Sequence, residues 1–137
     1  ARENDGLAGK AGPGGALAGA GLPPATGGSG LELCSGDMLL EALVACAGVT
    51  LKSVATAVEV PLKSGNVIAE GDLDFRGTLG VSKDAPVGFK NIRLSFALDA
   101  DSTAEQMATL EKLTRRYCEV LQTLQNSPAL ELNIRGK

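Results

Sequence analysis

The 137-residue chain has no histidine and no tryptophan, and its aromatic residues are three phenylalanines and one tyrosine. Without imidazole, it cannot build a Ser-His or Cys-His nucleophile pair from its own side chains. A zinc site would need cysteines and carboxylates alone, and no C-x-x-C spacing occurs. So few aromatics leave little to stack on bases or to line a sugar-binding cleft. No block of Lys or Arg forms a basic stripe, and the net charge is −3, so no nucleic-acid partner is expected. The glycine-rich start does not form a phosphate loop. Gly9-Lys10 is followed by Ala11 where a hydroxyl is required, and Asn4 stands where the first glycine should be. A dinucleotide pattern fails at Leu17, where Gly12-Pro13-Gly14 would need its third glycine.

What remains for covalent chemistry is sulfur. A thiol is the side chain here that can act as a strong nucleophile at neutral pH without a histidine beside it. The chain has three cysteines, Cys34, Cys46 and Cys118. An odd number does not fit a fully paired secreted framework, so a reducing cytoplasm is the expected setting. No signal peptide is expected, because the first residues lack an uninterrupted apolar run. Cys34 reads as a small buried hydrophobe or an incidental thiol. Cys46, within Leu43-Val44-Ala45-Cys46-Ala47-Gly48-Val49, taken alone fits a core position. To ionise there it would need a cation, and Arg115 or Arg116 could supply one if a second helix packs alongside. Cys118 follows that arginine pair, near a helix break, a better setting for a reactive sulfur.

Organisation follows from composition and period. Eleven of the eighteen glycines precede Asp37, with Pro13, Pro23 and Pro24 among them. Residues 1–33 therefore read as a loop or extended glycine-rich arm, without a hairpin. Residues 34–137 form the folded domain. Asp37 is placed as the N-cap of a long helix running from about Met38 to Val58, apolar around most of its circumference and therefore central. Glu41, Lys52 and Ser53 within it point to burial in protein rather than in lipid. Two antiparallel strands follow. Val67, Ala69, Leu73 and Phe75 mark one inner face, with Glu70, Asp72, Asp74 and Arg76 forming a solvated outer one. Ile92, Leu94, Phe96 and Leu98 mark the other. Ser102 with Glu105 suggests a capping box for a second helix, with Met107, Leu110, Leu113 and Tyr117 on one face. A break near Tyr117-Cys118, a short helix through Leu124, and a last strand carrying Leu130, Leu132 and Ile134 complete an α+β order.

Two runs resemble a known family. Gly36-Asp37-Met38-Leu39-Leu40-Glu41-Ala42-Leu43-Val44-Ala45-Cys46-Ala47-Gly48-Val49-Thr50 resembles the central helix of the OsmC/Ohr family, the osmotically inducible and organic hydroperoxide resistance proteins. Arg116-Tyr117-Cys118-Glu119-Val120-Leu121-Gln122-Thr123-Leu124 is similar to that family's second cysteine motif, and the elements between the two match in order. The resemblance covers roughly Gly30 to Ile134. It implies an antiparallel sheet wrapped around a long central helix, in an intertwined homodimer. It also implies a cysteine-based peroxidase for organic hydroperoxides. Cys46 would be peroxidatic and Cys118 resolving, Asp37 and Arg116 would support them, and an external dithiol would be the reductant, with no bound cofactor or metal. Asp37 is the nearest match to the acidic group that opens the family's helix. Arg2 cannot be carried over onto the family's hairpin arginine. Glu119 stands where the family usually has proline, and would disfavour a nearby thiolate. The alternatives are a non-enzymatic dimeric ligand-binding protein of the same fold, and a redox sensor switched by the same two cysteines.

Overall fold

The computed structural model describes residues 7–11, 16–20 and 34–137. Its elements are strands β1 (Leu7–Ala11) and β2 (Ala16–Ala20), helix α1 (Ser35–Ala57), strand β3 (Leu62–Asp72), a one-turn helix α2 (Phe75–Thr78), strand β4 (Asn91–Ala100), and helices α3 (Ala104–Tyr117) and α4 (Glu119–Gln125). The architecture is α+β. Packing divides the chain into two compact units, Ala1–Val44 with Val67–Phe96, and Ala45–Asn66 with Ala97–Lys137.

The glycine-rich arm contains a hairpin that its composition does not announce. β1 and β2 pair antiparallel, with Leu7 opposite Ala20 and Ala11 opposite Ala16. A strand ladder joins backbone N–H to C=O, so small residues can pair without the alternating large side chains that signal a strand. Arg2, Pro13, Pro23 and Pro24 lie outside the described residues.

Helix α1 begins one turn earlier than its apolar pattern suggests. The Met38 N–H donates to the Cys34 carbonyl at 3.0 Å, so Asp37 is the third helical residue rather than the N-cap. Its carboxylate still lies in the first turn, where negative charge is favourable. The other end closes without glycine. Val60 N–H donates to the Ala55 carbonyl and Glu59 N–H to the Thr56 carbonyl, a Schellman arrangement with Glu59 in the left-handed region at φ 58°. Val60, the residue beyond, is buried. By length and composition α1 could also cross a membrane. In this structure Leu43, Ala47, Leu51, Val54 and Ala55 form a buried stripe at helical spacing, while Leu39 and Val49 are exposed.

In the first unit, the Lys90 N–H donates to the Asp72 carbonyl where β3 and β4 meet. The first strand ends sooner than expected. Asp74 leaves the ladder and accepts from the Arg76 N–H, capping α2, so Phe75 and Arg76 are helical. The Phe89 ring covers Gly71 so closely that a Cβ there would come within 2.5 Å of it. Gly77 is buried against the Pro86 carbonyl, with no room for a side chain. On the solvent face Arg93 bridges Asp72, at 2.8 and 3.0 Å, and Glu70 at 3.5 Å.

In the second unit, Lys63 pairs with Asp101 at 3.6 Å near the other end of the strand pair. Along β4 as a whole, Ile92, Leu94, Phe96 and Leu98 are half-buried and Asn91, Arg93, Ser95 and Asp99 exposed, as period two requires. The capping box of α3 falls one residue later than Ser102. The Thr103 hydroxyl accepts from the Gln106 N–H at 3.1 Å, and the Gln106 side chain accepts from the Thr103 N–H at 2.9 Å. The buried line of α3 is Leu110, Thr114 and Cys118, each four residues apart, and Tyr117 is exposed rather than on the inner face. The last strand does not form. Among the described residues nothing after Gln125 is helix or strand, and Leu130, Leu132 and Ile134 are 86%, 88% and 88% exposed. Their alternation suits a strand, but a ladder also needs a free edge to pair with.

Candidate active site

All three cysteines are free thiols, and their surroundings differ. Cys34 is half-buried just before α1. Cys46 lies in the fourth turn of α1, half-buried, and Cys118 is the fully buried, single non-helical residue between α3 and α4. At Cys118 the backbone leaves the helical region, with φ −75° and ψ 103°. That break matters because the residues after it begin a new helix, and the first amides of a helix have no carbonyl one turn back. The amides of Glu119 and Val120 are therefore free to hydrogen-bond outside the helix.

Both act on Cys46. Burial pushes the Cys46 thiol up, but four neighbouring donors outweigh this and bring it below its ordinary value. They are the Val120 N–H, the Cys118 thiol, the Thr50 hydroxyl and the Glu119 N–H. Thr50 can reach because it lies four residues further along α1, on the same face. Cys118 moves the other way. Burial raises it most. The Leu121 N–H opposes this, and Cys46, as acceptor and as charge, raises it further. Each sulfur thus acts on the other's proton. Cys46 is the sulfur that ionises first and Cys118 the one that stays protonated.

The other residues singled out in the sequence lie elsewhere. Asp37 is exposed in the first turn of α1, more than two turns before Cys46. Arg116 is exposed in the last turn of α3, and Arg115 pairs with Glu111 at 3.1 Å. Neither arginine is among the groups that shift Cys46. Glu119 contributes its backbone N–H, and its side chain is exposed. Thr50 and the two amides were not legible as site residues. Only the helix break at Tyr117-Cys118 hinted at the amides, and the four-residue spacing of Thr50 from Cys46 hinted at its hydroxyl. Among the described residues, no group of three metal-binding side chains lies together.

Comparison with known proteins places the chain in a family. The model of the OsmC-like protein family matches residues 28–133, and the chain belongs to that family. Solved structures share the fold at low identity. An OsmC-like protein from Mycoplasma pneumoniae superposes with a TM-score of 0.66 at 17% identity, over 82% of this chain and 74% of that one. An organic hydroperoxide resistance protein OsmC from Legionella pneumophila gives 0.58 at 17% identity, over 88% of each chain. An OsmC-like hydroperoxide resistance protein from Jannaschia sp. CCS1 gives 0.54 at 15% identity, over 72% of this chain and 64% of that one. No curated protein matches the sequence significantly. The family match and these neighbours together establish the OsmC-like fold.

Proposed function

We propose that the chain is a thiol-dependent reductase of organic hydroperoxides, working through a two-cysteine cycle. The observation that carries this reading is the Cys46–Cys118 pair, in which each sulfur alters the other's acidity and the more accessible one is also the more acidic. The Cys46 thiolate attacks the distal oxygen of the peroxide. The O–O bond breaks, an alcohol leaves with one proton, and Cys46 becomes a sulfenic acid. Cys118 then attacks that sulfur, water departs, and a disulfide joins the two residues. A dithiol of the reducing cytoplasm restores both thiols. The substrate's apolar group is matched by Val49, exposed one turn along α1, and by Leu121 and Leu124 on α4. A second copy of the chain is the proposed cover for the exposed Leu39, Leu130, Leu132 and Ile134. We infer no nucleic-acid or membrane partner.

A mass spectrum of reduced protein after one equivalent of cumene hydroperoxide tests the cycle. The expected result is a loss of two hydrogens shared by the peptides bearing Cys46 and Cys118. Cys118→Ser should stop at a sulfenic acid trapped by dimedone, and Cys46→Ser should consume no peroxide. Undiminished turnover in Cys46→Ser would sink the proposal. A second reading, a dimeric binding or redox-sensing protein of the same fold, is favoured by one fact: among the described residues no guanidinium acts on Cys46. It predicts slow oxidation without turnover when a dithiol is supplied.

A further inference from the structure

Thr114 has the one buried side-chain oxygen that lacks a hydrogen-bond partner among the described residues. The residue is only 4% exposed. A buried hydroxyl left unpaired is costly. The usual remedy within a helix is a bond to the carbonyl four residues back. Two other threonines take it: Thr56 donates to the Lys52 carbonyl at 3.0 Å and Thr123 to the Glu119 carbonyl at 2.7 Å. Thr114 does not, although its helix continues on both sides. Its position is also particular. It lies one turn before Cys118 on the buried face of α3, and its carbonyl accepts the Cys118 N–H at 3.0 Å. Side chains four residues apart on one helical face are neighbours, about 5–6 Å between Cβ atoms.

We propose that Thr114 is a positioning residue for the resolving step, donating its hydroxyl to the Cys118 sulfur once that sulfur has lost its proton. This rests on the two-cysteine reading above. In the reduced protein the hydroxyl makes no hydrogen bond to that sulfur, and a neutral thiol, a weak acceptor, does little to draw it there. A thiolate is a strong one. The bond therefore forms in the reactive state and not in the resting state, the condition under which an interaction speeds a step instead of merely stabilising the protein. The step balances. The Cys118 thiolate attacks the sulfur of the Cys46 sulfenic acid, the S–S bond forms as the S–O bond breaks, and hydroxide leaves with the proton that Cys118 gave up. Cys118 is oxidised and the Cys46 sulfur is reduced to the disulfide level, the peroxide having been the oxidant. The titratable group facing Cys118 from α1 is Cys46, while its chain neighbours Arg115, Arg116 and Glu119 are exposed.

Rapid-mixing kinetics on the full chain separate the two steps. In Thr114→Val, sulfenic acid formation with cumene hydroperoxide should keep its rate. Disulfide formation should slow by roughly tenfold to a hundredfold, the worth of one hydrogen bond to a charged group, with its pH midpoint moved upward. Thr114→Ser should restore both. Thr114→Ala keeps the test open if valine crowds the site. A second arm loads Cys46 with oxidised glutathione and follows release of reduced glutathione as Cys118 closes the disulfide. This arm uses no peroxide, so it decides the role of Thr114 even if the wild-type chain fails to react with a hydroperoxide. An unchanged closing rate and pH midpoint in Thr114→Val overturn the proposal, as does a Thr114→Ser variant as slow as the valine.

Discussion

The two units of the chain handle polar groups in opposite ways. In the first, two exposed arginines gather the acidic side chains around them. Arg93 takes both Asp72 and Glu70, and Arg76 takes Asp74, whose carboxyl is held down to about 2 chiefly by that hydrogen bond. In the second unit, among the described residues, the groups that favour the Cys46 thiolate carry no formal charge. They are a thiol, the Thr50 hydroxyl and a pair of backbone amides, and one turn before Cys118 the buried Thr114 hydroxyl has no partner among the described residues. Fully paired surface charge has little left to offer a reactant, and its contribution to stability is small. Incompletely paired groups away from water keep their capacity to bind or ionise, which is why the proposed chemistry is assigned to the sulfurs.

The contrast can be broken in three places. Gly77→Ala forces a methyl group against the Pro86 carbonyl. It should lower the stability of the protein by about 1–3 kcal/mol, seen as a lower denaturation midpoint, without moving the pH midpoint for alkylation of Cys46. A shift of that midpoint would show that the first unit shapes the sulfur site. Next, the pH dependence of alkylation by iodoacetamide should separate the two thiols. Cys46 should react with a midpoint below the ordinary thiol value of about 8.5 and Cys118 with one above it. The sign for stability follows from the same directions. A thiol more acidic in the folded chain than in the unfolded one contributes stability above its unfolded value. That contribution is lost as pH falls through its folded one. A Cys46 midpoint at or above the ordinary value would remove the amides as its source of acidity. The smallest effect belongs to the surface ladder. Arg93→Gln should change stability by less than about 0.5 kcal/mol and leave thiol reactivity alone, and a larger loss on chemical denaturation would mean that the ladder is structural.

The sequence was informative where side chains repeat with a clear period. The long apolar helix, the inner row Ile92, Leu94, Phe96 and Leu98, and the helix break before Cys118 were all legible. Caps were misplaced by a residue or more, because Ser102 and Thr103 are both good caps and only the bond to Gln106 decides between them. Tyr117 was expected inside, but the buried line follows the four-residue spacing of Leu110, Thr114 and Cys118. The hairpin at Leu7–Ala20 was missed because its pairing is made by backbone. The same holds for the site: a search for a cation beside Cys46 looks among side chains and passes over the amides of Glu119 and Val120. The Leu130–Ile134 alternation led to a strand because period two records compatibility with a ladder and not the presence of a neighbour.

The long separation along the chain between Cys46 and Cys118 has a thermal consequence. A covalent bond between them closes a loop of roughly 70 residues and restricts the unfolded chain, worth about 4 kcal/mol by loop entropy. A cell meeting peroxide would thus hold this protein in its most heat-resistant form while the stress lasts, and in a softer one after the reductant has returned.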